Sequence, residues 1–362
     1  MRLIDEKAIE KIALGAALLG TGGGGDPYIG KLMAIEAIRQ YGPIQMLDPS
    51  EVPDDAFVVP TAMMGAPTVL IEKIANGQEF DVIINHLEKY TGQKVFATLP
   101  IEAGGVNSML PFAVAAKLGI PIIDCDGMGR AFPELQMVTF HLDGITTSPM
   151  VVTDEKGNSM IMETVSNTWS ETLARTATIT MGGSVMISIY SMFGHQLKKS
   201  AIYNTLTLAE NIGASIMDKD DSDILPIDRM INFVDGYKLF TGKIVDILRE
   251  TRQGFNFGKA KIVGINADKG ESCHVDFQNE NLVVMKGDEV LATTPDLITI
   301  VDLETGVPIT TEALKYGRRV VVVGLRCDEK WRTKKGIETV GPRYFKYDID
   351  YVPIEERVKG AK

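Results

Sequence analysis

The sequence has few cysteines, a shortage of basic residues and no long apolar run, and each shortage excludes a class of protein. Its cysteines, Cys125, Cys273 and Cys327, lie far apart and form no CxxC pair, so a disulfide framework and a cysteine zinc site are excluded. Lysine and arginine total 37 against 48 for aspartate and glutamate, giving a net charge of -11. This charge disfavours nucleic acid as a partner because it repels a phosphate backbone.

Several functional signals are missing as well. No apolar stretch reaches membrane-spanning length, and the N-terminus lacks the apolar core of a signal peptide, which predicts a cytoplasmic protein that binds no membrane. No Gly-Lys-Ser/Thr follows the glycine-rich segment, and no Gly-x-Ser-x-Gly elbow occurs. The sequence therefore supports neither a Walker-type nucleotide site nor covalent acyl transfer, and it leaves a small molecule as the expected ligand.

The order of predicted elements indicates two domains, as the length of 362 residues suggests. In the first half, strands alternate with helices, and Asp5 is placed to cap the first helix. The strands are predicted at 56–60, 94–99 and 120–124, and the helices at 5–19, 27–41, 67–76, 81–90 and 107–118. Helical patterns at 194–217 and 226–233 then precede a series of short strands and turns. We predict an α/β domain with a mainly parallel sheet over 1–165, and a mainly β, barrel- or sandwich-like domain that begins with helices over 166–362.

A run of glycines ends the first predicted helix, just before Pro27 opens the next. Backbone amides without side chains, placed before a helix N-terminus, favour an anionic ligand. We predict that this run binds substrate, with a plain turn between two helices as the alternative. The residues of the run are Thr21, Gly22, Gly23, Gly24 and Gly25.

Two further polar segments, residues 99–107 and 123–134, each follow an apolar strand. In open α/β sheets, ligands bind at the carboxyl ends of such strands. The residues predicted to be catalytic are Glu102, Asp124, Asp126 and Glu134. Asn107 and Arg130 are predicted to bind substrate, Arg130 by clamping an anion. The alternative is an acidic strand end that Arg130 neutralises, with Glu102 serving as a charge at a helix N-terminus.

The four histidines show no HxH or HExxH spacing, so any metal site would have to assemble from distant positions. We predict that Asp126 and His195 bind zinc or another divalent metal, because a carboxylate and an imidazole are both suitable ligands. Such a metal would polarise water for attack on a substrate.

These segments resemble the S-methyl thiohydantoin desulfurase-like family. The likeness rests on residues 20–27, 102–107 and 124–136, and on the later positions 295–298, 302, 306 and 308–309. Their order and spacing match over nearly the whole chain. The resemblance implies an α/β domain followed by a β-rich domain. It also implies hydrolysis of a five-membered cyclic imide or its thio analogue, in some relatives with zinc, and an association with hydantoinase-type enzymes.

Two hypotheses of function follow. The first is a metal-assisted hydrolase of a hydantoin-like or thiohydantoin-like ring, in which a cation or Asp126 activates water and Glu102 or Glu134 moves the proton. The second is a non-catalytic ligand-binding or accessory subunit of a hydantoinase-type partner, and a homo-oligomer is compatible with both. Either way, the site is expected at the carboxyl edge of the first sheet, facing the second domain, with the carboxylates of Glu102 and Asp126 on the order of 10 Å apart.

Overall fold

The computed structural model describes residues 1–65, 69, 77–218, 224–252 and 255–360. The helix predicted at 67–76 lies outside the described residues, apart from residue 69. None of the described helices combines the length and the apolar character that a membrane crossing requires.

The helices and strands of the described residues follow one another closely along the chain. The α-helices are α1 Glu6–Leu19, α2 Tyr28–Tyr41, α3 Glu79–Thr91, α4 Leu110–Leu118, α5 Thr139–Leu142, α6 Asn167–Thr180, α7 Gly194–Ser200, α8 Thr205–Met217, α9 Pro226–Phe233, α10 Lys334–Val340 and α11 Ile354–Gly360. The strands are β1 Arg2–Ile4, β2 Ile44–Leu47, β3 Phe57–Gly65, β4 Val95–Pro100, β5 Ile122–Ile123, β6 Cys125–Asp126, β7 Met150–Thr153, β8 Ser159–Met162, β9 Ser184–Ser188, β10 Met192–Phe193, β11 Ile202–Tyr203, β12 Tyr237–Arg252, β13 Phe255–Gly264, β14 Ser272–Gln278, β15 Glu280–Lys286, β16 Glu289–Thr293, β17 Leu297–Asp302 and β18 Arg319–Leu325.

The first sheet contains the parallel strands that the sequence predicts. Its order is β1-β2-β5-β4-β3-β9-β7-β8, with β10 also pairing with β3. The four strands β2, β5, β4 and β3 run parallel, and antiparallel strands extend the sheet on both sides. Buried side chains dominate β3 and β4, as expected of parallel strands that helices such as α4 cover. The predicted α/β class is confirmed.

The second sheet has seven antiparallel strands in the order β16-β15-β14-β13-β12-β18-β17. Irregular pairing at two places in the long strand β12 bends the sheet into a half-barrel. Helices α6 to α9 precede it, so the predicted helices followed by a mainly β part are also confirmed. Strand β9 lies beyond residue 165 and yet belongs to the first sheet; the domain boundary at 165/166 stays a prediction.

One cluster of buried apolar side chains joins the two parts of the chain. The largest buried cluster combines Ile9 and Leu18 of α1 with Leu99 of β4 and with Val321 and Val323 of β18. Because side chains from the second sheet complete the core of the first, the two parts pack against each other as a unit.

The helix predicted at 194–217 is in fact two helices, α7 and α8. Strand β11 separates them and pairs with β6, and Asn204 adopts the left-handed conformation, with φ 61°, before α8 begins. The carboxylate of Asp124 then accepts the backbone N–H groups of Leu206 at 2.9 Å and Thr207 at 3.1 Å. Asp124, from the first sheet, therefore acts as a cap for the N-terminus of α8.

Helices α1 and α8 approach closely at two glycines. A Cβ atom on Gly15 would lie 1.8 Å from the carbonyl oxygen of Ala209, and one on Gly213 would lie 1.9 Å from that of Lys11. Only glycine permits this approach of two backbones. The contact fixes the direction of α1, whose C-terminal end leads into the glycine run.

We expect Gly15→Ala to lower the free energy of unfolding by about 2 kcal/mol or more, because the new methyl group overlaps backbone atoms that cannot move without separating the helices. Chemical denaturation measures the loss. The comparison variant is Gly30→Ala in α2, where a Cβ atom would lie 2.8 Å from the Cβ of Met109, 3.0 Å from a methyl group of Val106 and 3.2 Å from the Val106 carbonyl oxygen. These contacts are longer than the 1.8 Å at Gly15, so a smaller loss is expected. Both variants gain the same helix propensity. Equal losses in the two variants would contradict the role of the glycine contact.

Candidate active site between the two sheets

A cavity of about 400 Å³ lies where the two parts of the chain meet. The first sheet contributes residues 62–65 at the end of β3 and residues 101–102 directly after β4, at the carboxyl edge of the parallel strands. The remaining wall comes from the glycine run, from the loop that follows β6 and from the second sheet. Those residues include 23–25, 128, 132–135, 279–280 and 311–312. The three predicted loops thus converge on one cavity that faces the second sheet.

Glu102 is a buried carboxyl group on the wall of this cavity. Its Oε1 accepts a hydrogen bond of 2.7 Å from the Asn107 side-chain amide. Asn107 is held in turn by the backbone N–H and C=O of Met63, at 2.8 and 3.1 Å. Burial raises the pKa of Glu102 to about 8, and the nearby charge of Asp126 adds to the shift. A carboxyl group with this pKa can exchange a proton near neutral pH.

Glu280 faces the same cavity from the first residue of β15. Its side chain is buried, with the residue 2% exposed, and Oε2 has no hydrogen-bond partner among the described residues. Burial raises the pKa of Glu280 well above its ordinary value, and the charge of Glu102 raises it further, against the opposing effect of Arg130. A buried, unpartnered carboxyl oxygen on a cavity wall is a candidate ligand-binding atom.

Glu280 is a cavity residue that the sequence did not predict. It lies in the segment 278–281, Gln-Asn-Glu-Asn, which has the composition of a turn between two strands. The local sequence around Glu280, a charged residue between two asparagines, is also common in surface hairpins, so it does not indicate a functional site. The function of Glu280 depends on burial against the glycine run, a contact between distant parts of the chain.

The glycine run allows Glu280 to reach the cavity. A Cβ atom on Gly23 would lie 2.0 Å from Oε1 of Glu280, so a side chain at this position would displace the carboxyl group. The backbone N–H of Gly24 donates a hydrogen bond to Glu280. Gly23, Gly24 and Gly25 line the cavity, whereas Thr21 and Gly22 bind the second sheet. Their carbonyl oxygens accept the N–H groups of Asn281 and Thr311 at 2.8 and 2.7 Å.

Arg130 has a different role from the predicted clamp on a substrate anion. Its side chain is fully buried, and the guanidinium lies 4.4 Å from the ring centroid of Phe132. All of its nitrogens donate hydrogen bonds within the protein, which leaves no donor for a ligand. The acceptors are the carbonyl oxygens of Ala131, Asn281, Pro295 and Asp296 and the hydroxyl of Thr21.

Asp124 and Asp126 hold backbone segments in place and do not line the cavity. Asp124 caps α8, as described above. Asp126 is fully buried, and burial raises its pKa to about 7. Its carboxylate accepts three backbone N–H groups at 2.6 to 3.1 Å, from Ala103, Met128 and Gly129. The bond to Ala103 joins Asp126 to the residue that follows Glu102, and backbone N–H groups bind both oxygens of Asp126.

Glu134 does line the cavity. Its Oε2 accepts a hydrogen bond of 2.6 Å from the hydroxyl of Tyr344 and another from the amide of Gln136. The structure therefore brings Glu102, Asn107, Glu134 and the glycines 23–25 to one cavity, and it assigns Asp124, Asp126 and Arg130 to contacts within the protein.

The residues predicted to bind a metal do not fit that role. His195 is exposed and does not line the cavity. Its Nδ1 lies 3.0 Å from the carbonyl oxygen of Asp54, and its ring stacks on Phe193. Within the described ranges, no group of three or more His, Cys, Asp or Glu side chains is arranged to hold a metal ion.

Comparison with known proteins identifies the family. The model of the S-Me-THD-like N-terminal domain matches residues 7–164, and that of the S-Me-THD-like C-terminal domain matches residues 165–354. The crystal structure of a protein from Chromobacterium violaceum is similar, with a TM-score of 0.82 and 22% sequence identity over 98% of this chain and 100% of that chain; at this identity the likeness shows the fold alone. No curated protein matches. Because the two domain models together span nearly all of the chain, it belongs to the S-methyl thiohydantoin desulfurase-like family.

Proposed function

We propose that the protein is a hydrolase of a small hydantoin-like or thiohydantoin-like ring. One observation carries the proposal: Glu102 and Glu280, two buried carboxyl groups from different sheets, face a single cavity. Burial raises the pKa of both groups. The cavity of about 400 Å³ suits a five-membered ring with substituents, and membership of the family supports a thiohydantoin-related role.

The hydrogen-bond partners of the two groups assign their roles. Glu102, whose Oε1 accepts a hydrogen bond from Asn107 and so favours the ionised carboxylate, is the general base. Glu280, whose Oε2 has no partner among the described residues, is the general acid. In the first step, Glu102 removes a proton from water while the water oxygen bonds to the ring carbon that carries sulfur. Glu280 at the same time protonates the adjacent ring nitrogen. The product of this step is a tetrahedral carbon that bears hydroxyl and sulfur.

In the second step, the carbon–sulfur bond breaks and the thiol leaves with the proton that Glu102 had taken. The hydroxyl proton passes to Glu280 as the ring carbonyl forms, so both carboxyl groups return to their starting states. The net reaction consumes one water and replaces the sulfur substituent by oxygen. Asn107 positions Glu102 through its 2.7 Å hydrogen bond, and Gly24 positions Glu280.

We expect Glu102→Gln and Glu280→Gln each to lower kcat for an S-methyl thiohydantoin by about 100- to 10,000-fold, the usual range for loss of a general acid or base. Release of thiol measures turnover. Glu271→Gln, which changes an exposed carboxyl group on the second sheet, is the control and should retain wild-type activity. Full activity in either cavity variant would contradict the assignment. Absence of turnover by the wild-type protein on hydantoins and thiohydantoins would favour the accessory-subunit hypothesis.

Metal content is measured on the same preparation. We expect turnover to survive removal of zinc and other divalent metals by a chelator, since the proton transfers are assigned to carboxyl groups. Loss of turnover on chelation, restored by zinc, would contradict the metal-free route and support the metal-assisted hydrolase.

The raised pKa of Glu102 predicts how activity depends on pH. The base must be ionised, so kcat/KM should rise between pH 6 and 8 as Glu102 loses its proton, with a midpoint near its pKa of about 8. Ionisation of Glu280 should lower kcat/KM, because the acid then has no proton to donate. A pH profile that stays flat from 6 to 8 would show that Glu102 is not the base.

The same shift predicts how stability depends on pH. The pKa of Glu102 is about 8 in the folded protein and about 4.3 in an unfolded chain. Between these values the folded state binds more protons, so stability falls as pH rises from about 5 to 8. We expect Glu102→Gln, which does not titrate, to show a smaller decrease of Tm over this range, while Glu271→Gln follows the wild type. Equal decreases in all three proteins would contradict the raised pKa.

A further inference from the structure

Two arginines line the cavity, Arg175 and Arg249. Arg175 forms an ion pair with Glu171 and donates a hydrogen bond to the carbonyl oxygen of Pro133. Its guanidinium also lies 4.1 Å from the ring centroid of Phe255. These contacts engage Arg175 in holding α6, the loop after β6 and the second sheet together.

Backbone carbonyl groups orient the side chain of Arg249, and one nitrogen of its guanidinium stays unbound among the described residues. Its Nε and Nη2 donate to the carbonyl oxygens of Thr311 and Leu314 at 2.6 to 3.0 Å. Its Nη1 has no partner, and no carboxylate forms an ion pair with it, in the part of the chain that the structure describes. The residue is exposed, so it lies at the mouth of the cavity with two N–H groups available.

Thr311 fixes the position of Arg249 relative to the proposed acid. Its hydroxyl donates to the carbonyl oxygen of Asn279 at 2.8 Å, and its N–H donates to Gly22 at 2.7 Å. Asn279 directly precedes Glu280. The open edge of Arg249 and the carboxyl group of Glu280 therefore belong to one hydrogen-bonded wall.

Glu312 is the carboxyl group on this wall whose charge acts on Arg249. Burial raises the pKa of Glu312, and Arg249 opposes that shift. Within the described residues the two side chains form no ion pair, and both N–H groups of Nη1 stay open. An arginine at the mouth of such a cavity attracts an anion, and its fork of donors matches a carboxylate.

We propose that Arg249 binds a carboxylate on a substituent of the ring, so that the substrate is an acidic hydantoin-like molecule. The inference rests on the proposed function for the identity of the ring. Binding of the acidic group is a separate property, because it depends on Arg249 and not on the proton transfers. The reacting carbon would lie deeper, between Glu102 and Glu280.

Calorimetric titration at pH 7 with hydantoin-5-acetic acid and hydantoin-5-acetamide tests the proposal, since the two probes have nearly the same size and differ in charge. We expect the wild-type protein to bind the acid about ten-fold more tightly than the amide, as one charge-assisted contact at a partly exposed site provides. In Arg249→Gln the two affinities should become equal, with affinity for the amide within about two-fold of wild type.

Arg252→Gln is the matched control. Arg252 lies on the same strand, over the ring of Phe257, and does not line the cavity, so this variant should keep the preference for the acid. Equal binding of the two probes by the wild type, binding of neither, or a preference that survives in Arg249→Gln would each overturn the proposal. If the wild type binds the acid more tightly than the amide but turns over no ring, only the proposed hydrolase activity is contradicted. If it turns over a ring but binds the two probes equally, only the role of Arg249 is contradicted.

Discussion

The buried guanidinium of Arg130 is the contact on which the arrangement of the cavity depends. A charge removed from water is costly unless hydrogen bonds replace its hydration, and here acceptors from three distant segments supply them. Burial lowers the pKa of Arg130 to about 10, which still leaves it charged at neutral pH. Because the acceptors come from the glycine run, the loop after β6 and the second sheet, satisfying this one cation requires all three segments to be in place.

The same enclosure gives the carboxyl groups their properties. Once the second sheet covers the edge of the first, Glu102 and Glu280 are buried away from bulk solvent, and desolvation is the largest cause of the shift in each pKa. Arg130 opposes the shift at Glu280, and Asn107 opposes it at Glu102. The protein therefore sets the proton affinities of the cavity through packing between its two parts, with neighbouring groups as a smaller correction.

The sequence predicted those features that arise locally. Asp5 caps α1 as expected, accepting the N–H of Ala8 at 2.9 Å, and the strands that precede Glu102 and Asp126 occur where apolar runs predict them. Roles that depend on distant contacts were not predictable. Asp124 caps a helix that begins 81 residues later, the difference between positions 124 and 205, and Glu280 reaches the cavity because Gly23 leaves room for it. Glu102 and Glu134 line the cavity, whereas Asp124 and Asp126 do not. Hydrogen-bond partners from other parts of the chain decide which of these carboxylates support a loop.

The division of the two cavity carboxyl groups between the halves of the chain has a consequence for inheritance. Glu102 lies within the part that matches the N-terminal domain of the family, and Glu280 within the part that matches the C-terminal domain. A gene that encoded one of these parts alone would specify one acid of the pair and an edge of the cavity open to water. Recombination between relatives can therefore exchange one half for another only where the incoming half restores the missing carboxyl group and the acceptors of Arg130.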